Sequence, residues 1–431
     1  MKKMRRVFFA LLLFPSLLFA AEKLSTDQLL NDLKNSDAGV REKAAKELGD
    51  RGEKLGLDAL IQTTGDKDEN VQLAAVKAIG QISDPRQVSA LSQAVRNSKG
   101  KAQQEAIHEL TEHYIPSRDR NALEELWASV GKLFAPPHPV IAEPWIKVDS
   151  EAVDALIFVL DDKNSSNRME AAATLGILRA DAALPRLVYY LRSQNDQVVQ
   201  TCVRSIGYIG KKDSGADLVP LLKHPDKDVV MDAVRVLGQF RYQPALPELQ
   251  HFLDYSNDKD YRHVALQAIS RIGDPSSEPS MKKYSSSDDK EMRQYAIEGL
   301  GRMRLVNYRE SLEREVQREN PKQIKLAICF SLFAMGNNAY IDTLVRGLDD
   351  RMYRDQVREY FVELGSQAVP QLANYLRGSD KDYKVKIIRI LGDMHQPEAI
   401  QVLEPYLKDQ DLDVAQEATD AIRELKQVQS V

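Results

Sequence analysis

The chain has 431 residues, 43% of them hydrophobic and 29% charged, with a formal charge of −5. Removing the four basic residues Lys2, Lys3, Arg5 and Arg6 from the 59 leaves 55 against 64 acidic residues, a charge of −9. So acidic a chain has no overall attraction for nucleic acid or for an anionic membrane surface.

At the N-terminus those four basic residues precede an apolar stretch from Val7 to Ala20. The stretch is too short for an ordinary membrane span and ends on a small residue, the pattern of a secretory signal peptide over residues 1–20. The expectation is an exported protein, periplasmic or secreted, with no membrane insertion after signal cleavage.

From residue 21 onward one unit recurs. GVREKAAKELG ends at Gly49, NVQLAAVKAIG at Gly80 and VVMDAVRVLG at Gly238. The same register returns at Thr111, Gly176, Gly207, Ser270, Gly301, Phe333, Val362, Gly392 and Arg423. Spacings are 29 to 32 residues, except for a gap of 65 between Thr111 and Gly176. One position before this anchor all twelve registers are apolar, from Leu48 to Ile422, and five before it eight of twelve are Ala. Nine before it stand mostly apolar residues such as Val71, Val198 and Val229. Offsets of −9, −5 and −1 form one stripe of an α-helix, and the recurring Ala lets a neighbouring helix come close.

Twelve before the anchor, ten of twelve registers carry Asp or Asn: Asp37, Asp68, Asn164, Asn195, Asp226, Asp258, Asp289, Asp350, Asp380 and Asp411. A side-chain oxygen there accepts an orphan N–H, so these residues are expected N-caps. Seven anchors are Gly, which is unfavourable inside a helix, so a close helix–helix approach is expected at that column. Asp84-Pro85 and Asp274-Pro275 are read as the cap and first residue of the next helix. A shorter apolar helix precedes each capped one, as in LLNDL (29–33), LDALI (57–61), LPRLVYYL (184–191) and VLEPYL (402–407). One such pair cannot bury its stripe alone, so the pairs must stack. The expected fold class is all-α, an α–α superhelical solenoid of about twelve two-helix repeats whose second helices line the concave wall.

The unit D-x-x-V-R at 37–41, then Ala44-Ala45, Leu48-Gly49 and, further on, I-G-D-P at 272–275 resembles the HEAT-repeat family, in particular the short HEAT-like repeats of phycobilin lyases. The resemblance covers nearly all of residues 24–427. It implies a scaffold that binds a protein or peptide partner, here one of the cell envelope. The alternative it implies is a lyase-like or metal-dependent hydroxylase-like enzyme. The hydroxylases use several His-Glu pairs, whereas this chain has one, His108-Glu109. No Gly-rich phosphate loop or nucleophile elbow stands in the sequence, so no catalytic, cofactor-binding or metal residue is assigned and no cofactor is expected.

Other candidates read as structure. His108 and His113 are five apart, not the four of a zinc helix, so two i,i+4 His–Glu pairs are expected. Arg41, Arg168, Arg262, Arg293, Lys325, Arg354 and Lys384 form a basic column flanking the stripe, expected to pair with the capping Asp or a neighbouring cap. An outward column mixes Lys46, Lys77, Arg204, Arg235 and Arg389 with Glu298, Glu359 and Asp420, so no single-sign stripe offers itself to nucleic acid. Cys202 and Cys329 fall on inward positions of repeats four registers apart, beyond bridging distance. Six serines in 276–290 are expected to weaken a first helix and make a flexible joint.

The 65-residue gap holds the best site candidate. APPHPVIAEPWIKVDS (135–150) carries four prolines, which exclude a helix interior. Of the chain's two tryptophans Trp145 lies in it and Trp127 just before it, and with His138 they are the candidate partner-binding residues. The resulting division is a signal peptide (1–20), N-terminal repeats (21–120), an irregular unit (121–150) and C-terminal repeats (151–431).

Overall fold

The computed structural model describes residues 24–115, 142, 146–319 and 321–429. The signal segment and the partner-binding candidates Trp127, His138 and Trp145 lie outside the described residues. Among those described there are helices, 3-10 turns and no strand. The chain divides into two compact units at Ala106 and Ile107.

The first unit contains α1 (Thr26–Asp32), α2 (Ala38–Asp50), α3 (Leu57–Thr63), α4 (Glu69–Gln81), α5 (Gln87–Asn97) and the start of α6 (Gly100–Tyr114). The second, after the remainder of α6, contains α7 (Ser150–Val159), α8 (Ser165–Ile177), α9 (Leu184–Tyr190), α10 (Asp196–Ile209), α11 (Gly215–Leu218), α12 (Lys227–Gln239), α13 (Leu246–Tyr255) and α14 (Lys259–Ile272). It continues with α15 (Glu278–Tyr284), α16 (Lys290–Arg302), α17 (Arg309–Val316), α18 (Lys322–Ala334), α19 (Ile341–Gly347), α20 (Arg354–Leu364), α21 (Val369–Arg377), α22 (Lys381–Asp393), α23 (Ala399–Leu403) and α24 (Leu412–Gln429). Short first helices alternate with long second helices, and in each unit successive second helices stack on one another.

The columns account for that stacking. All twelve residues one before the anchor are buried, and so are the eight alanines. The anchor glycines are where backbones meet. A methyl on Gly49 would sit 2.6 Å from the Cα of Ala78, on Gly176 2.6 Å from that of Ser205, and on Gly301 2.6 Å from that of Ser331. The residue met is always two before the next anchor, so a missing side chain in one repeat receives the backbone of the next.

Nine of the ten expected caps accept a backbone N–H at their helix start, for example Asp68 from Asn70 and Val71 and Asp411 from Asp413. Asp350 does not cap α20. It accepts from Met352 in a turn, and α20 begins after Tyr353 with no side-chain cap. Asp84 and Asp274 accept from Arg86 and Ser276, but the proline after each opens a turn before the next α-helix. In 402–407 Pro405 tightens the second half into a 3-10 turn. In the serine-rich stretch the first helix forms: α15 has Met281 fully buried and Ser280 bonded to Gln250 at 3.1 Å.

The basic column pairs differently from the expectation. Three of its side chains reach past the cap to the acid two residues before the next repeat's cap position: Arg41 to Asp66 at 2.7 Å, Arg293 to Glu319 at 2.6 Å, Lys384 to Asp409 at 2.8 Å. A second row of cations, at the first position of the second helices, takes the caps themselves: Lys227 on Asp258 at 2.7 Å, Lys259 on Asp289 at 3.1 Å and Lys381 on Asp411 at 3.1 Å. His108 is in contact with Glu170 of the following repeat at 3.0 Å. Ala142 is pinned, its N–H donating to the Ile177 carbonyl at 2.8 Å.

One second helix leaves the stack. The register shortens to 29 residues before Val362, and α20, uncapped, meets α18 and α22 only lightly. It lies across the exposed side of α18, so that α18 is buried on every side and Phe330 stacks on Tyr360 with centroids 4.4 Å apart. From there α20 touches α16 and Arg241, the second residue after α12.

Candidate functional site

The C-terminal ends of α12, α14 and α16 form one wall of an opening of about 650 Å³ in the second unit, and α20 forms the other. Arg241, Arg271 and Arg302 come from the first wall, Arg358, Glu359 and Glu363 from the second.

Arg302 is the most constrained of these. Its side chain is only 7% exposed yet fully engaged: Nε donates to both oxygens of Glu363 at 2.9 and 3.1 Å, and Nη1 donates to Ser270 at 2.8 Å and to Glu298 at 3.1 Å. Its guanidinium also lies over the Phe330 ring at 5.4 Å. Burial alone would lower its pKa, but Glu298 and Glu363 outweigh that and hold it above the usual arginine range. Glu298 was expected on the outward column. It is buried instead, because α20 covers that face. Its Oε1 accepts from Gln294 at 2.6 Å and from the hydroxyl of Tyr360, which in turn accepts from Gln356. Burial and the Glu298 charge push the Tyr360 hydroxyl far above its ordinary pKa, so it stays a donor. A buried charge is tolerable only when paired and hydrogen-bonded, and this cluster meets that condition.

Nearer the mouth the pairs are more exposed. Glu363 also takes Arg241 at 2.6 Å, Glu359 faces Arg271 at 3.3 Å, and Arg358 reaches Asp393 at 2.8 Å. Burial raises the Asp393 pKa, with Arg358 acting in the opposite sense. Arg241 sits at φ 53°, the left-handed conformation that ends these second helices. Elsewhere that position is Gly52, Gly210, Gly273 or Gly336, but Arg179, Arg241, Arg304 and His395 also occupy it. A cation there faces the negative end of its helix, which offsets the strain of a non-glycine residue.

The arrangement is one of guanidinium–carboxylate recognition. Among the described residues no group of three or more His, Cys, Asp or Glu is placed to hold a metal ion, and no helix is long and apolar enough to cross a membrane. Sequence reasoning passed over the opening. The signal that could have found it is Arg241 standing three residues after the anchor, where other repeats place glycine, together with the shortened register before Val362.

A family model for HEAT repeats matches residues 26–111 and 187–270. Over these two segments the chain carries HEAT repeats. No curated protein matches the sequence. Among solved structures, the HEAT array is similar to an engineered protein at 18% identity, covering 93% of this chain and 98% of that one, with a TM-score of 0.35. It is similar to the karyopherin Kap121p bound to the extreme C-terminus of the protein phosphatase Cdc14p, at 13% identity, 93% and 57% coverage and a TM-score of 0.46. The chain thus spans little more than half of Kap121p. The complex of CpcE and CpcF of phycocyanin lyase from Nostoc sp. PCC7120 aligns at 19% identity, over 76% and 99%, with a TM-score of 0.28. At these identities the likeness is one of fold.

Proposed function

We propose that this HEAT array is a non-enzymatic scaffold or adaptor of the cell envelope that binds a protein or peptide partner through its helical surface. A stack of repeats is a protein-binding fold. The observation that carries the reading further is the opening beside α20, where Arg241 and Arg271 stand half exposed against carboxylates of the same chain. Guanidinium forks of that kind suit a partner's carboxylates and backbone carbonyls. The envelope location rests on the basic and apolar segment at residues 2–20. Trp127, His138 and Trp145 are proposed as a second contact.

The test uses the full chain expressed in its host and recovered with its partners by mild cross-linking, beside Arg241→Glu/Arg271→Glu. A partner retained by the wild type and lost from the double variant, with helicity unchanged, is the expected result. Equal retention by both overturns the role of the opening. Mass spectrometry of the same samples should find an N-terminus near Ala21; an intact Met1 on cytosolic protein overturns export.

A further inference from the structure

The opening is already held by a ligand-like segment of the chain itself. Glu363 and Glu359 lie four residues apart on α20, hence on one helical face about 5–6 Å apart at their Cβ atoms. The first sits on Arg241 at 2.6 Å and the second faces Arg271 at 3.3 Å. Among the described residues these are the ion pairs of Arg241 and Arg271, whereas Arg302 keeps Glu298 and Ser270 whether or not Glu363 is present. The spacing between the two half-exposed arginines therefore matches two carboxylates one helical turn apart.

The contacts on the two faces of α20 differ in kind. Its buried side is anchored by Val357, Tyr360, Phe361 and Leu364. Its open side carries Glu359, 58% exposed against an Arg271 that is 37% exposed. Pairs so open to solvent exchange readily and contribute little. The helix has no N-terminal side-chain cap and stops at Gly365, at φ 53° and ψ −139°, a conformation open essentially to glycine alone.

We propose that this opening is a binding site for an acidic peptide presenting two carboxylates one helical turn apart, and that Glu359 and Glu363 of α20 are built-in competitors for the same arginines. The proposal rests on the scaffold reading and names the chemistry of its occupant. Binding exchanges one set of carboxylates for another on Arg241 and Arg271, while α20 stays docked through Tyr360 and Phe361. Because α20 stays docked, its own carboxylates remain beside the site and offset the arginines, so selectivity lies in spacing and shape more than in net attraction.

Fluorescence anisotropy tests this on the full chain with a labelled fifteen-residue alanine-rich helical probe carrying Glu at i and i+4. The control probe carries Gln at both positions. The wild type is expected to bind the Glu probe, with an affinity that falls with salt, and to ignore the Gln probe. Glu359→Gln frees Arg271 and should tighten the Glu probe about fivefold, the scale of one exposed ion pair. Adding Arg241→Gln and Arg271→Gln to it should weaken binding by at least about tenfold. Circular dichroism on each variant separates lost binding from lost fold, and Glu359→Gln, on an exposed side chain, is the variant that keeps the test open if the arginine changes unfold the unit. Equal affinity of wild type and Glu359→Gln overturns the competition. Equal binding of the two probes overturns the site, and displacement by inorganic polyphosphate as effective as by unlabelled probe shows a general anion patch and overturns the peptide. Failure of the probes while the cellular partner is still retained through the arginines overturns this inference and leaves the scaffold reading standing.

Discussion

Asp289 shows how much one loop side chain can do. Its carboxylate accepts the N–H groups of Glu291 and Met292 at the start of α16 and contacts Lys259 at 3.1 Å and His263 at 2.9 Å, both from α14. Partial burial opposes its ionisation, but the Met292 N–H, Lys259 and His263 outweigh that and hold the carboxyl at about 2 against an ordinary 3.8. A carboxyl held below its unfolded value stabilises the fold fully above about pH 4 and loses that contribution as pH falls through its folded value. The gap of nearly two units sets an upper size of about 2 kcal/mol. Asp289→Asn keeps an accepting oxygen but removes the charge, and should lower stability by about 1–2 kcal/mol at neutral pH. The difference should be roughly halved at pH 3. Urea midpoints at the two pH values check it, and a difference that does not shrink would remove the charge from the account. Asp66, Asp258, Asp409 and Asp411 are lowered in the same way, chiefly by Arg41, Lys227, Lys384 and Lys381 of the preceding repeat, so acid loosens the seams between repeats. Such caps were legible in the sequence because a cap acts within three residues of itself. Asp350 was misread for the same reason: the column places it correctly, but the turn at 351–353 separates it from its helix.

Between elements, spacing is set by backbone contact. The methyl of Gly301→Ala would meet the Cα of Ser331 at 2.6 Å, and backbone does not yield as a flexible side chain does. Overpacking of this kind costs about 1–3 kcal/mol, and the better helix propensity of Ala returns about 1, so a net loss of about 1–2 kcal/mol is expected. Gly378→Ala is the control. Its methyl would meet nothing nearer than 4.0 Å, at φ −98°, and the change should stay within about 0.5 kcal/mol. Equal thermal shifts for the two would mean that the anchor column does not govern helix approach. The column, and with it the stacking of second helices within each unit, could be read from sequence because each repeat restates it. The departure of α20 could not. Its residues keep the apolar offsets, with Val357 and Phe361 buried as the stripe requires. What differs is where they are buried, and that depends on Tyr360 meeting Glu298 two repeats back, a pairing with no local signature. Glu298 was assigned to solvent for that reason.

At the scale of the whole molecule the fold was legible and the site was not, since periodicity dictates stacking but says little about which repeats face each other across an opening. Arg241 and Glu363 are joined across four registers by contacts that no column contains. The two cysteines lend themselves to following such an array as it opens. Cys202 on α10 and Cys329 on α18 are free and fully buried, and burial pushes both thiols up to about 12. A thiol so placed reacts only when its own helix is released. Pulse labelling with an excess of thiol reagent in mild urea therefore times two distant releases within one chain. Cys329 lies on α18, whose outer face is covered where Phe330 stacks on Tyr360 of α20, so it should label more slowly than Cys202; identical rates at every urea concentration would show that the second unit opens all at once. In an oxidising compartment the same burial would sort molecules by history, because a copy that has opened carries a blocked or cross-linked sulfur and one that has never opened keeps two thiols.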